Sequence, residues 1–322
     1  MKSSIRNLCM LTTFTILYGG AQAQPVELKV ATGECIKDSC STYVTMFREL
    51  KAQCNSDLTL TEVQSKGSVE SVDRLLNNEI NAGIVQTDVL FWRRRTEDLN
   101  DVKTLIALHP EEIHVVAMAN SSLKQAGDGL LGQLGVNKKD VVFNTVDNLY
   151  GYKVGVVAGS GSMVTARLIR AEANVNYDVT MFPNSDTVVA ALNSGAIQAA
   201  LFVGGAQLPI ISAMGPQYKL LPFSPAMITA LKDIYKPATL NYSNMNAAGI
   251  KSMATEANLV TREYKTPKMV AALAAFRACA LNSIVTLKET TGTHKKWRAV
   301  QADNRGKWPW YELPAPATQV KK

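Results

Sequence analysis

The chain has 322 residues, 47% of them hydrophobic and 19% charged, with a formal net charge of +7 and five cysteines. That length allows one large or two medium domains with a substantial core. The basic excess is spread along the chain, and its only tight cluster, Arg93-Arg94-Arg95, reads as a solvated helix end, which excludes nucleic acid as an expected partner.

The N-terminus reads as a signal peptide over residues 1–23. Lys2 and Arg6 give a short basic start, the stretch from Leu8 to Tyr18 is apolar, and Ala21-Gln22-Ala23 offers a small-x-small cleavage site. The apolar part is shorter than the roughly 20 residues a membrane span needs, and no later stretch reads as one. A mature chain beginning at Gln24 in the periplasm is expected, not itself embedded in the membrane. Losing Lys2 and Arg6 leaves +5, a charge that suits attraction of an anionic solute. Cys35, Cys40, Cys54 and Cys279 remain, an even count in an oxidising compartment. Cys35–Cys40 with Cys54–Cys279 is the favoured pairing; the other pairings and free thiols stay open.

Residues 26–31 (VELKVA) alternate as a first strand and run into the loop 32–41. Ser41 or Thr42 caps a helix with Tyr43, Val44, Phe47 and Leu50 on its apolar side. Residues 58–64 form a second strand, and Ser65 to Ser68 form a turn. The next segment is then repeated: SVESVDRLLNNEINAGIVQT (68–87) is echoed 117 positions later by SDTVVAALNSGAIQAALFVG (185–204). Ser68 matches Ser185, Val72 matches Val189, Leu75 matches Leu192, Ile80 matches Ile197, and Ala82 matches Ala199. Each copy reads as a Ser-capped amphipathic helix, a turn and a buried strand. The repeat predicts two similarly wound α/β lobes whose strand ends face one cleft.

Strands are expected at 103–108 and 113–119, the second long enough to cross between lobes. Residues 124–148 are polar and weakly periodic, a loop insertion or small flap. The strand 152–158 enters Gly159-Ser160-Gly161-Ser162 and a helix, and the second echo copy follows. KLLPF (219–223) is expected to return the chain to the first lobe, with helical patterns at 226–235 and 267–287 and an aromatic, Pro-rich tail. The expected domains are lobe 1 over 24–117, lobe 2 over 118–221, and a return to lobe 1 over 222–322. Two crossings make a hinge.

Loops of small residues that open helices leave backbone N–H groups unpaired at the positive end of the helix dipole, where carboxylates bind. The GSGS turn is the best instance, with Lys66-Gly67-Ser68-Val69 as its mate. Catalytic signatures are missing: His109, His114 and His294 have no metal-like spacing, and no nucleophile elbow, HExxH, P-loop or dinucleotide fingerprint occurs. No enzyme activity, metal or cofactor is expected.

These motifs together resemble the TAXI family of solute receptors of tripartite ATP-independent periplasmic (TRAP) transporters. The resemblance rests on Ala31-Thr32-Gly33, GSVESVDRLLNNEINAGIVQTD (67–88), LHPEEIHVV (108–116), the GSGS turn and FVGGAQLP (202–209). It implies a type II periplasmic-binding-protein fold, with two Rossmann-like lobes around a central cleft and a two-crossing hinge. It also implies capture of a small organic anion or amino acid, glutamate-like or a dicarboxylate, for delivery to a TRAP-type membrane permease. The ligand-facing positions it implies are Thr32, Gly33, Tyr43, Ser68, Val69, Gln86 and Thr87 in lobe 1. In lobe 2 they are Ser160, Gly161, Ser162, Phe202, Val203 and Gly204. The segment ECIKDSCSTY (34–43) departs from the family's Gly-rich first loop and stiffens it if Cys35 and Cys40 are bridged. The alternative is an exported interaction or sensor-partner protein with a modified cleft, its contact surface at 124–148 and 308–316.

Overall fold

The structure, a computed structural model, describes residues 26–36, 39–54, 58–120, 123–126, 134 and 138–314. The expected signal peptide lies outside these residues. The chain opens with β1 (Val26–Ala31), the hairpin β2 (Cys35–Ile36) and β3 (Ser39–Cys40), α1 (Thr42–Gln53), β4 (Leu58–Val63), α2 (Ser68–Leu76), β5 (Ala82–Gln86), α3 (Thr87–Arg93) and β6 (Val102–Ala107). Next come β7 (Glu111–Met118), a hairpin of β8 (Lys124–Ala126) and β9 (Lys138–Asp140), β10 (Lys153–Val157), α4 (Gly161–Glu172), β11 (Asp178–Phe182), α5 (Ser185–Asn193) and β12 (Ala199–Gly204). The remainder is α6 (Pro209–Ser212), β13 (Tyr218–Leu220), α7 (Pro225–Leu231), β14 (Lys236–Tyr242), β15 (Ala247–Thr255), β16 (Ala257–Arg262) and α8 (Pro267–Glu289).

Two sheets organise these elements. A five-stranded sheet runs β4-β1-β5-β16-β6, and a seven-stranded one runs β11-β10-β12-β7-β15-β14 with β13 also on β7. Each sheet holds a β-α-β-α-β unit of parallel strands, and the two units superpose the sequence echo. Val30 pairs Ala82 and Ala31 pairs Gly83 in the first sheet; Val154 pairs Ala199 and Gly155 pairs Ala200 in the second. The central strands are apolar because helices cover both faces. Gly155 sits where a Cβ would come within 2.3 Å of Ile197 Cδ1, so the helix-covered face closes down on bare backbone.

Three apolar clusters fill the molecule. One lies in the first lobe, where Tyr43, Phe47 and Leu50 of α1 meet Leu273, Phe276 and Ile284 of α8. One lies in the second, around Val188, Leu192, Ile197 and Phe202. The third is shared: Val72, Leu75, Val85 and Val89 of the first lobe join Val164, Leu168 and Ile169 of the second in one continuous core. α8, expected as a helix over 267–287, has 23 residues and is long and apolar enough by composition to cross a membrane, which the sequence reading did not expect of any later stretch. It packs instead on α1 with Phe276 and Ala280 fully buried, and Cys279 bridges Cys54 at the end of α1. Cys35 and Cys40 form the second bridge, across the β2–β3 hairpin.

The chain passes between sheets at two adjacent places. The first is the link 108–110 between β6 and β7, and the second is Glu256 between β15 and β16. Leu108 N–H donates to Ala257 O and Thr87 N–H to Glu256 O, tying the crossings together. Boundaries at 117/118 and 221/222 are therefore corrected, because β7 lies wholly in the second sheet, paired with β12, β13 and β15. KLLPF does not return to the first lobe, since β13 pairs with β7. The real return follows a β14–β15 hairpin whose Ala, Gly, Asn and Lys content hid the strand signal. In the 124–148 segment, β8 and β9 pair as a small separate hairpin; residues 127–133 and 135–137 lie outside the described ones.

Candidate ligand-binding cleft

Five loops and helix starts converge between the lobes. The cleft they enclose is lined from the first lobe by Thr32, Gly33, Glu34, Ser41, Thr42, Tyr43, Lys66, Gly67, Ser68 and Gln86, and by Glu111 where β7 enters the second sheet. The second lobe contributes Val157, Ser160, Gly161, Ser162, Ser185, Asp186, Phe202, Val203, Gly204 and the Leu208-Pro209-Ile210 corner. Eleven of the positions named from the sequence thus face this one cleft: Thr32, Gly33, Tyr43, Ser68, Gln86, Ser160, Gly161, Ser162, Phe202, Val203 and Gly204.

Val69 and Thr87 do not line it. Val69 turns onto the shared core, one residue round the helix from Ser68. Thr87 is buried at the crossing and accepts a hydrogen bond from Asn258 Nδ2 at 2.9 Å. Both are near the site in sequence, but their positions in α2 and at the start of α3 aim them at packing.

The loops after β1 and β10 are topological counterparts, each leaving the middle strand of its unit to open a helix. In the second lobe that loop is the GSGS turn. Gly159 has φ 78°, in the left-handed region that favours glycine, which lets the chain reverse into α4. A Cβ on Gly161 would lie 2.0 Å from Gln86 Oε1, so only glycine lets this first-lobe amide lie against the α4 start. The lobes touch here. Gly67, at φ 125°, would place a Cβ 3.3 Å from Ser160 Cα, and Glu70 N–H donates to Gly159 O at 2.9 Å. On the opposite rim Ser185 Oγ donates to Glu34 Oε2 at 2.6 Å, joining α5 to the loop that carries the Cys35–Cys40 bridge.

The serines read as helix caps have other duties. Gly67 is the N-cap of α2, and Asn184 caps α5 through a capping box with Thr187. Ser68 Oγ accepts the N–H of Gln86 at the end of β5, and Ser162 Oγ accepts that of Val203 in β12, both at 3.0 Å. Ser160 Oγ donates to Val157 O at 2.7 Å, which fixes the turn.

Three helices start in the cleft with no side-chain cap: α1 behind Ser41, α2 behind Gly67 and α4 behind Ser160. Their first N–H groups and dipoles present partial positive charge to the space between the lobes. Beside them, Thr32 Oγ1, Ser41 Oγ, Thr42 Oγ1 and Gln86 Oε1 are buried and make no hydrogen bond among the described residues, so one wall of the cleft carries a row of polar oxygens. Gln86 Nε2 donates to Glu111 Oε2 at 2.7 Å, which orients the amide.

Two groups at the first crossing went unread in the sequence. Glu111 is buried, and desolvation, with the charges of Asp88 and Glu112 adding to it, pushes its carboxyl up to about 8 against the opposing hydrogen bond from Gln86. His109 stacks on Tyr43 with ring centroids 4.6 Å apart, and Tyr43 OH donates to His109 O at 3.0 Å. Burial lowers His109 to about 3, so it is neutral and backs Tyr43, which lines the cleft. His114 is likewise a packed neutral strand residue, 2.9 Å from Tyr242 OH and lowered by burial to about 3. The LHPEEIHVV run drew attention as a strand; only its path out of the first sheet shows that Glu111 faces the cleft.

No protein-family model matches the chain. Among solved structures it is similar to a Candida albicans gene product described as defining a new family with the generic periplasmic binding protein fold. That match has 14% identity and a TM-score of 0.52, over 87% of this chain and 83% of that one. It is also similar, at 13% identity and a TM-score of 0.47, to an arginine periplasmic binding protein from Legionella pneumophila, over 85% and 97% of the two chains. The GluR0 ligand-binding core from Nostoc punctiforme, solved with L-glutamate, matches at 14% identity and a TM-score of 0.44, over 84% and 96%. The chain has the type II periplasmic-binding-protein fold.

Proposed function

We propose that this protein is an exported solute receptor whose interlobe cleft captures a small organic anion that also carries a hydrogen-bond donor. The observation that carries this reading is the convergence of three uncapped helix starts with the polar side chains of Thr32, Ser41, Thr42 and Gln86 on one wall of the cleft. The helix starts suit a carboxylate. Gln86 Oε1 can only accept, so it suits an ammonium, hydroxyl or amide on the same solute. An amino acid or a hydroxy- or dicarboxylic acid meets both demands. The two disulfides fit an oxidising compartment such as the periplasm. Delivery to a TRAP-type permease is the finer reading that the TAXI-like motifs support.

The test is a thermal-shift panel of amino acids and organic acids on protein unfolded, washed and refolded to strip carried-over solute. A solute at about a hundred times its Kd stabilises by about 2.7 kcal/mol and raises the midpoint. No response to any small acid across the panel would remove the receptor reading and favour the interaction-protein alternative.

A further inference from the structure

Glu111 occupies an unusual place for an acidic residue. It begins β7, directly after the first crossing, and faces a cleft whose other features attract anions. It is 8% exposed, and among the described residues its carboxyl accepts a hydrogen bond from Gln86 Nε2. The same Gln86 amide lies against Gly161 at the start of α4, so a single side chain links Glu111 to a helix terminus suited to a carboxylate. A negative charge at Glu111 would oppose an anionic solute in a buried space, where little solvent screens it.

Groups on every neighbouring element bear on it. Asp88 at the start of α3 and Glu112 beside it in β7 add negative potential. Lys296, in the turn 295–299, opposes them, but its ammonium is held by Glu112 at 2.7 Å. Tyr43 of α1 packs close by with its phenol proton retained, and His109 is neutral. No cation among the described residues pairs with Glu111, and burial favours its acid form up to about pH 8.

We propose that Glu111 contacts the solute as a carboxylic acid, donating a hydrogen bond through its O–H to the solute's anionic group, so that capture of the anion is coupled to retention of that proton. This inference rests on the solute-receptor reading. It makes Glu111 a selector: a neutral donor at neutral pH, and a repelling charge once deprotonated. Binding of an anion raises the acid's affinity for its proton, so above about pH 8 capture takes up one proton from solution and weakens as pH rises.

The experiment is calorimetric titration of succinate and L-glutamate into the stripped full-length mature protein, wild type and Glu111→Gln, from about pH 6 to about pH 10, in buffers of differing ionisation enthalpy. Wild type should lose affinity above about pH 8, by up to about tenfold per pH unit, with proton uptake on binding. Glu111→Gln keeps a neutral donor and should bind with no such pH dependence. Equal pH profiles in the two proteins, or binding without proton uptake above about pH 8, would overturn the proposal and leave the receptor reading standing. Failure of both acids to bind wild type at any pH, with no response to any acid of the thermal-shift panel, would overturn both. Should Glu111→Gln not fold, carboxyl 13C titration of wild type decides: a resonance titrating near 8 that moves higher with succinate supports the proposal, and one unmoved by a succinate that binds refutes it.

Discussion

Two glycines separate what builds the site from what merely builds the sheet. Gly161→Ala drives a Cβ into the Gln86 amide, 2.0 Å away, and detaches it from Glu111. We expect solute affinity to fall about tenfold or more, with about 1 kcal/mol of stability lost from the unpaired Glu111. Gly155→Ala overpacks Ile197 and Phe182 in the second lobe, and should cost about 1–3 kcal/mol in chemical denaturation while leaving affinity unchanged. Glu111 also writes a pH signature on stability. Its carboxyl is raised from 4.5 unfolded to about 8 folded, so the folded state binds the extra proton between those values. Stability of the empty protein, relative to Glu111→Gln, should therefore be highest below about pH 4.5 and decline as pH rises to about 8. Most cleft residues were legible because small and polar residues at strand ends are readable as helix-opening loops. Glu111 was not, because its role depends on which sheet β7 joins, and local patterning carries no sign of that.

At the scale of elements, the two disulfides do different work. Cys54–Cys279 ties α1 to α8 across 225 positions, so removing it frees a long loop in the unfolded chain. Replacing both cysteines by alanine should cost about 2–4 kcal/mol without altering affinity. Cys35–Cys40 spans five positions and has little chain entropy to restrain, but its hairpin forms one rim of the cleft beside Glu34 and α6. Removing it should change affinity more than stability. The start of α3 ties the lobes together elsewhere: Asp88 Oδ2 accepts hydrogen bonds from Thr165 of α4 at 2.7 Å and from Tyr235, ahead of β14, at 2.9 Å. Asp88→Ala strands both buried hydroxyls and should cost about 2–5 kcal/mol in denaturant melts. Asp88 Oδ1 accepts the neighbouring Val89 N–H, while its other oxygen serves a partner 147 residues away that no local pattern reveals.

For the whole molecule, the echo at 68–87 and 185–204 marks two copies of one β-α-β-α-β unit with matching strand register. That much of the architecture is legible because parallel strands and amphipathic helices write strong periodicities. The crossings were misplaced because β14 to β16 are antiparallel strands of mixed composition, which carry weaker ones. The shared core beneath α2, α3 and α4 packs one edge of the interface with apolar side chains, while the opposite rim is joined by the Ser185–Glu34 hydrogen bond. The most direct measurement of the central claim is calorimetric titration of solute-stripped protein with small carboxylic and amino acids, paired with Gly161→Ala. Saturable binding of one solute per chain, weakened about tenfold or more by that methyl group, is the predicted result. Absence of binding by every acid, or binding unaffected by Gly161→Ala, would contradict it.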